Sequence, residues 1–247
     1  MSLYFRAILF KVYFYLWTGF ACVSMIPLLF FKPTISAKAG HFWASGVIIG
    51  LRLIAGITHE ERGKQHLPVS GGYILACKHQ SVWDTIIFLK LLKAPCYILK
   101  QELLNLPLFG RYLRSMAMIA IDRSAGASAL KNMVHQTLDR LEKGHPVIIF
   151  PEGTRTLPGQ SGRYQPGIAM LHTQLAGRQP IIPVALNSGF FWNKKQFYYP
   201  KGTIILEYLP PLPATLDRKA FLPALEQTIE AHTSQLMAEA AAACNNS

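Results

Sequence analysis

The chain has 247 residues, 51% hydrophobic and only 15% charged, with a formal net charge of +12. That length holds one sizeable α/β domain plus an appendage and excludes two full domains of ordinary size. The greasy, basic balance calls for an anionic partner: a phospholipid surface, a nucleic acid or an acidic carrier protein. The basic residues are spread along the chain and no nucleic-acid module is present, so membrane is favoured over nucleic acid. The four cysteines (Cys22, Cys77, Cys96, Cys244) follow no metal or disulfide spacing. The first three lie in apolar runs, where a free cysteine behaves as a small hydrophobe.

Val12 to Phe31 is an uncharged stretch of twenty residues flanked by Arg6, Lys11 and Lys32. It is long enough to span a bilayer core, and aromatics crowd its first half as at a headgroup interface. A second stretch, Phe42 to Ile57, is interrupted by Arg52, which must snorkel or face protein, so this segment is too compromised to span alone. Three readings compete: a cleaved signal peptide with Ala37-Lys38-Ala39 imitating the cut site, a single-span anchor, and a two-helix hairpin inserted into one leaflet. In the hairpin reading Pro33 breaks the chain, with Lys32 and Lys38 near the turn. The apolar region is longer than a signal core and Lys32-Pro33 separates it from the cut site, which favours an anchor over residues 1–57. Spanning and half-insertion stay open.

From Gly71 short apolar runs alternate with longer helical patterns. Strands are expected at Tyr73–Cys77, Cys96–Leu99, Met116–Ala120, Val147–Phe150, Ile181–Leu186 and Thr203–Tyr208. Helices are expected at Val82–Leu92, Ala127–Glu142, Gly167–Gln174 and Pro223–Ala243, with a short helical region from Lys100 to Arg114 broken by Pro107. Near-continuous apolar strands separated by helices predict one α/β domain, residues 58–247, with a mostly parallel sheet flanked by helices.

Four segments fall at the carboxyl ends of these strands, where such folds place function. The first is Lys78-His79-Gln80-Ser81-Val82-Trp83-Asp84. Positions five apart on an ideal helix diverge by about 140°, so a His79–Asp84 contact requires a turn between them. Ser81 supplies it as an N-cap. Ser81-x-x-Asp84 reads equally well as a plain capping box with Asp in place of Glu. The second is Phe150-Pro151-Glu152-Gly153-Thr154-Arg155. A turn explains Pro-Glu-Gly-Thr but has no use for Arg155, whose fork matches phosphate oxygens. Ile119-Ala120-Ile121-Asp122-Arg123 delivers another acid and arginine, and Ile182-Pro183-Val184-Ala185 places a proline at a strand start or edge.

In this combination and order the segments resemble the four motifs of the glycerolipid acyltransferase family, in particular its 1-acylglycerol-3-phosphate acyltransferases. The resemblance covers residues 71–189. His-x4-Asp alone is a weak signal; joined to an intact Phe-Pro-Glu-Gly-Thr-Arg it is a strong one. Ala120 stands where the family commonly has a bulkier residue, and Lys78 where many relatives carry Asn, a change expected to tune the acceptor site.

The resemblance implies acyl transfer to the 2-hydroxyl of lysophosphatidic acid, without a metal or cofactor, from acyl-CoA or acyl carrier protein as co-substrate. An alcohol near neutral pH benefits from a general base. His79 would take that role and Asp84 would fix its tautomer. Arg155, then Arg123 and Lys100, would meet the acceptor phosphate; Glu152, Gly153 and Thr154 would shape the acceptor loop, with Glu152 alternatively holding an arginine. The catalytic body would face the cytoplasm, where both donors are found. Gly-x-Ser-x-Gly is absent, which removes a serine hydrolase. His59-Glu60 lacks the second histidine of a metalloprotease. An acyltransferase for another lysophospholipid, or for a lysolipid with an amino-acid head group, is the close alternative. A non-catalytic lipid-binding relative would be expected to lose His79 or Asp84.

Overall fold

The computed structural model describes residues 3–31 and 33–245, without the side chains of residues 33, 34 and 123. The chain opens with α1 (Leu3–Ser24), a 3-10 turn (Ile26–Phe30), α2 (Pro33–Gly50) and a π turn (Leu51–Ala55). Then come β1 (Ile57–Arg62), β2 (Ile74–Cys77), α3 (Trp83–Leu91), β3 (Cys96–Lys100), α4 (Phe109–Ser115) and β4 (Ile119–Ile121). They are followed by α5 (Gly126–Glu142), β5 (Val147–Ile149), α6 (Gly167–Leu175), β6 (Ile181–Leu186), α7 (Ser188–Phe191), β7 (Gly202–Tyr208) and α8 (Arg218–Asn245).

Seven strands form one sheet in the order β1-β7-β6-β2-β5-β3-β4. All neighbours are parallel save β6 and β7, so β1 and β7 run against the other five. This is the single α/β domain with a mostly parallel sheet that the alternating pattern predicts. Side chains alternate across the sheet. Leu75, Cys77, Ile148 and Ile182 enter one core with α1, α2 and α3; Ile74, Ala76, Val147 and Ile181 enter the other with α5, α6 and α8. Both faces are covered, which is why β2 and β6 are apolar at almost every position.

The front end differs from its sequence reading in register. The apolar run Val12–Phe31 straddles the end of α1 and the following turn. Pro27, near the start of the 3-10 turn, lacks the N–H that would continue the helix, so the break falls there and not at Pro33. Pro33 instead opens α2, where its fixed φ suits a first helical position. Lys38 and Ala39 lie inside α2, Ala39 buried, while Lys32 falls outside the described residues.

α1 is long and apolar enough to cross a membrane by length and composition, and one face of it packs against protein. Tyr13 Oη donates to Gly46 O at 2.8 Å and Trp17 Nε1 to Trp43 O at 2.9 Å. A Cβ on Gly46 would lie 2.1 Å from the Trp17 ring, so this approach requires glycine. Arg6 is not the solvated flanking charge it resembles in sequence. It is buried, and donates to Ile54 O at 3.0 Å and to Ala55 O, satisfying carbonyls at the end of the π turn. Ala7, Phe10, Val47 and Leu51 join the same core as Leu75 and Ile148. Of α1 only Arg6, Ala7, Phe10 and Ala21 are buried; the broad face that includes Phe5, Ile8, Val12, Tyr15, Leu16 and Val23 is exposed.

Three further boundaries move. β1, absent from the sequence reading, is an edge strand paired with β7 alone, and its sequence Ile-Thr-His-Glu-Glu-Arg carries no apolar alternation. The strand expected from Met116 starts at Ile119, because Ala117 takes a left-handed turn with φ 57°. α8 begins at Arg218, five residues before Pro223, since Asp217 Oδ1 caps it by accepting from the amides of Lys219 and Ala220 at 2.8 and 2.7 Å.

Candidate active site

β2 ends at Cys77 and the chain turns before α3, placing His79 and Asp84 at the carboxyl edge of the sheet. Ser81 Oγ accepts from Trp83 N at 3.1 Å, while Asp84 Oδ2 accepts from Ser81 N at 2.8 Å and Gln80 N at 2.7 Å. Asp84 thus makes the return bond of a capping box while Ser81 Oγ turns to Trp83 N, and the same carboxylate oxygen reaches His79 Nδ1 at 3.0 Å. The structural and chemical uses of Asp84 coincide. Its other oxygen accepts from Ser188 Oγ at 2.5 Å. Asp84 is fully buried and His79 nearly so, its ring stacked on Phe150 with centroids 4.0 Å apart. An ionised carboxylate can only accept, so this contact assigns the proton of a neutral His79 to Nδ1 and leaves Nε2 without a hydrogen bond among the described residues.

A second carboxylate holds the backbone of the same residue. Glu152 Oε2 accepts from His79 N at 3.0 Å. Its Oε1 accepts from Lys78 Nζ at 2.7 Å, Thr156 Oγ1 at 2.9 Å and Gly162 N at 3.1 Å. Lys78 is itself fully buried and donates onward to Glu230 of α8 at 2.7 Å and to Gln160 O at 3.1 Å. Tyr164 Oη completes the group on Glu230 at 3.1 Å, and burial beside that carboxylate pushes its pKa far up. Glu152 thus holds a lysine rather than an arginine, and neither Glu152 nor the buried Lys78 lines the cavity described below.

His79 borders a cavity of about 740 Å³, within the ordinary range for small-molecule sites. Lys100, Gly153, Thr154 and Arg155 line it with His79, so four of the other sequence-derived candidates converge there. Gly153 has φ 68°, the left-handed conformation that turns the chain after Pro151 and that glycine adopts freely. Arg155 is half-buried and Lys100 exposed, and neither guanidinium nor ammonium pairs with a described carboxylate. Away from the polar rim the walls are apolar: Leu89, Leu113, Met116 and Met133 of the body, with Cys22 of α1 and Trp43 of α2. Arg123 begins a short turn directly after β4 and Asp122, but its side chain is outside the described residues. Asp122 caps that turn by accepting from Ser124 N at 2.9 Å, and the Ser124 hydroxyl and amide hold its carboxyl below the usual range.

A match to a known family decides what this geometry belongs to. The family model described as Acyltransferase matches residues 59–187. A 1-acyl-sn-glycerol-3-phosphate acyltransferase of Pseudomonas aeruginosa is 38% identical over 197 residues, covering 80% of this chain and 76% of that protein. The chain belongs to the acyltransferase family. Similarity extends to the human 1-acyl-sn-glycerol-3-phosphate acyltransferase alpha, 30% identical over 169 residues, 68% of this acyltransferase and 59% of the human protein. The crystal structure of the 1-acyl-sn-glycerophosphate (LPA) acyltransferase PlsC from Thermotoga maritima shares the fold, with a TM-score of 0.73 at 18% identity over 95% of this chain and 98% of that one.

Ser188, Thr156 and Glu230 are the parts of the acyltransferase site that sequence reading misses. Ser188 does carry a signal, a polar Asn-Ser pair directly after the apolar strand β6. Glu230 carries none, standing on α8 among other polar residues. Cys77, directly ahead of the loop, is not a competing nucleophile, because burial and the neighbouring Asp84 and Glu152 push its thiol well up.

Proposed function

We propose that this acyltransferase moves a fatty acyl group from an acyl-CoA or acyl carrier protein thioester to the 2-hydroxyl of 1-acyl-sn-glycerol 3-phosphate, giving phosphatidic acid. The observation that carries the reading is His79: Nδ1 is tied to a buried carboxylate, and the ring borders an apolar cavity whose rim bears Lys100 and Arg155. The apolar part suits an alkyl chain, and the two unpaired cations suit a phosphate.

In the reaction the acceptor hydroxyl gives its proton to His79 Nε2 as its oxygen attacks the thioester carbonyl. The negative charge of Asp84 stabilises the imidazolium that forms. Collapse of the tetrahedral adduct breaks the carbon–sulfur bond, and the imidazolium returns its proton to the leaving thiolate. The chain supplies positioning and a general base; no acyl-enzyme is required. Arg155 meets the acceptor phosphate through its fork, with Lys100 and Arg123 as further cations. Gly153 and Thr154 shape the turn beneath them.

The enzyme sits on a membrane with residues 1–57 as its anchor and the catalytic body facing the cytoplasm, where both donors occur. One face of α1 packs against the body and keeps the helix beside it, while the broad apolar face left exposed suits lipid, which supports anchoring by this hairpin. The test is an acyl-transfer assay on the purified full chain, crossing a panel of lysolipids with both donors. Highest turnover is expected with lysophosphatidic acid. Faster acylation of a lysolipid lacking the free phosphate would overturn the acceptor assignment.

A further inference from the structure

Between α7 and β7 the loop Trp192–Lys201 folds against the start of α1. Trp192 and Tyr199 are buried there, their rings 5.2 and 6.1 Å from that of Phe10. Tyr198 meets Tyr4 edge-on at 5.7 Å, and Lys11 of α1 lies 5.9 Å from the Phe197 ring. Asn193 and Gln196 fix the tip: Asn193 Nδ2 donates to Gly189 O at 2.9 Å and Gln196 Nε2 to Phe190 O at 3.0 Å. On this ordered scaffold Phe197 is 75% exposed and Tyr198 41% exposed, continuing the apolar stripe of α1 at Tyr4, Phe5 and Ile8. Burying such rings elsewhere in the fold would be favourable, so their exposure marks a contact surface.

The charge around them has one sign. Lys194, Lys195 and Lys201 of the loop and Lys11 of α1 are all exposed. The sequence holds no Asp or Glu before Glu60, and none between Glu152 and Glu207. Lys194 Nζ donates to Arg155 O at 3.4 Å, which sets the loop beside the cation at the cavity rim. Exposed aromatics interleaved with lysines are the composition of an interfacial lipid contact, rings at headgroup depth and ammonium groups on phosphates.

We propose that the loop Trp192–Lys201 is a second lipid-contacting element that docks on an anionic bilayer surface, Phe197 and Tyr198 entering the headgroup layer while Lys195, Lys201 and Lys11 meet lipid phosphates. The inference rests on the membrane-bound reading above and adds to it a leaflet preference and a fixed tilt. With α1 and the loop both in contact, the rim at Arg155 faces the lipid surface, and the acceptor enters from the bilayer.

The test measures binding of the full chain to phosphatidylcholine vesicles with and without phosphatidylglycerol. A Lys195→Glu, Lys201→Glu double variant is expected to lose about 30-fold or more in affinity for the anionic vesicles, at roughly fivefold per lysine. It should keep the parent's affinity for neutral vesicles, and the loss should fade at high salt. Phe197→Ser with Tyr198→Ser should weaken binding to both vesicle types. Turnover on a dispersed short-chain acceptor, at the parent level in both variants, verifies the fold. A Phe197→Trp variant supplies an independent readout: its added emission should be quenched by lipids brominated near the headgroup. Unchanged anionic binding by the charge-reversed protein, or no added quenching, overturns the proposal. A parent chain released from neutral vesicles by buffer alone would instead sink the insertion of α1.

Discussion

The β2–α3 corner and the α1–α2 hairpin lie on the same cavity and are held by opposite means. At the corner Lys78, Asp84 and Glu152 are fully buried, and the hydrogen bonds of Glu152 and Asp84 on His79 leave neither its backbone nor its imidazole free to turn. In the hairpin, aromatic rings lie over glycines, polar side chains mostly reach helix carbonyls, no buried carboxylate takes part, and one face has no protein neighbour among the described residues. Buried polar networks are directional, so they fix an atom's position; apolar packing is not, so it tolerates sliding and repacking. A reacting nitrogen needs the first kind of environment and an alkyl chain the second.

That contrast breaks first at His79. His79→Ala should lower turnover by about 10²–10⁴-fold, the usual reach of a general base, with its thermal midpoint close to the parent's. Near-parent turnover in the folded variant would remove the mechanism. Asp84→Asn should lose less, since an amide oxygen can still accept from Gln80, Ser81 and His79 and only the charge is missing. The same corner should be the most sensitive part of the fold. Lys78→Met leaves Glu152 buried without its cation and should cost about 3–5 kcal/mol in denaturant unfolding. A loss below about 1 kcal/mol, the scale of an exposed pair, would show that the network does not hold the loop.

At the rim the expected effects are smaller. Arg155→Ala should raise the KM for lysophosphatidic acid about 10–100-fold, the value of a charge-assisted hydrogen bond, while leaving the donor KM near the parent's. Arg155→Lys should restore part of it, keeping charge and losing the fork. Loss of donor affinity alone would move Arg155 to the other substrate. In the hairpin, Gly46→Ala must displace Trp17 and should destabilise by about 1–3 kcal/mol. Its turnover on a dispersed acceptor should stay within a few-fold of the parent's; a loss as deep as that of His79→Ala would mean that the two regions are not mechanically separate.

The two regions also differ in how much their sequence discloses. His79, Ser81 and Asp84 lie within six residues, so the turn, the cap and the pairing follow from local rules. Phe150–Arg155 is equally compact, and Gly153 marks its turn. Ser188 on Asp84, Glu230 on Lys78 and Glu152 on Lys78 are contacts across 104, 152 and 74 residues, set by strand order and by where α8 docks, which no local pattern encodes. The hairpin's apolar composition was plain, but Met25–Phe31 is as apolar as the helix before it, so hydropathy could not find the break that Pro27 makes. β1 was invisible for the opposite reason: an edge strand needs no apolar face, and its pairing is written in β7.

That last pairing sets an order of events during synthesis. Thr58 and its partner Thr203 are 145 residues apart, and at roughly 5–20 residues per second a ribosome takes on the order of 7–30 s to travel between them. Throughout that interval the hairpin has left the ribosome while the strands it covers are still being made, so its rings have no sheet to lie on. On the membrane-bound reading proposed above, a bilayer is the apolar surface that a nascent α1 would reach in that time, and the edge pairing of β1 with β7 would close only after β7 is made.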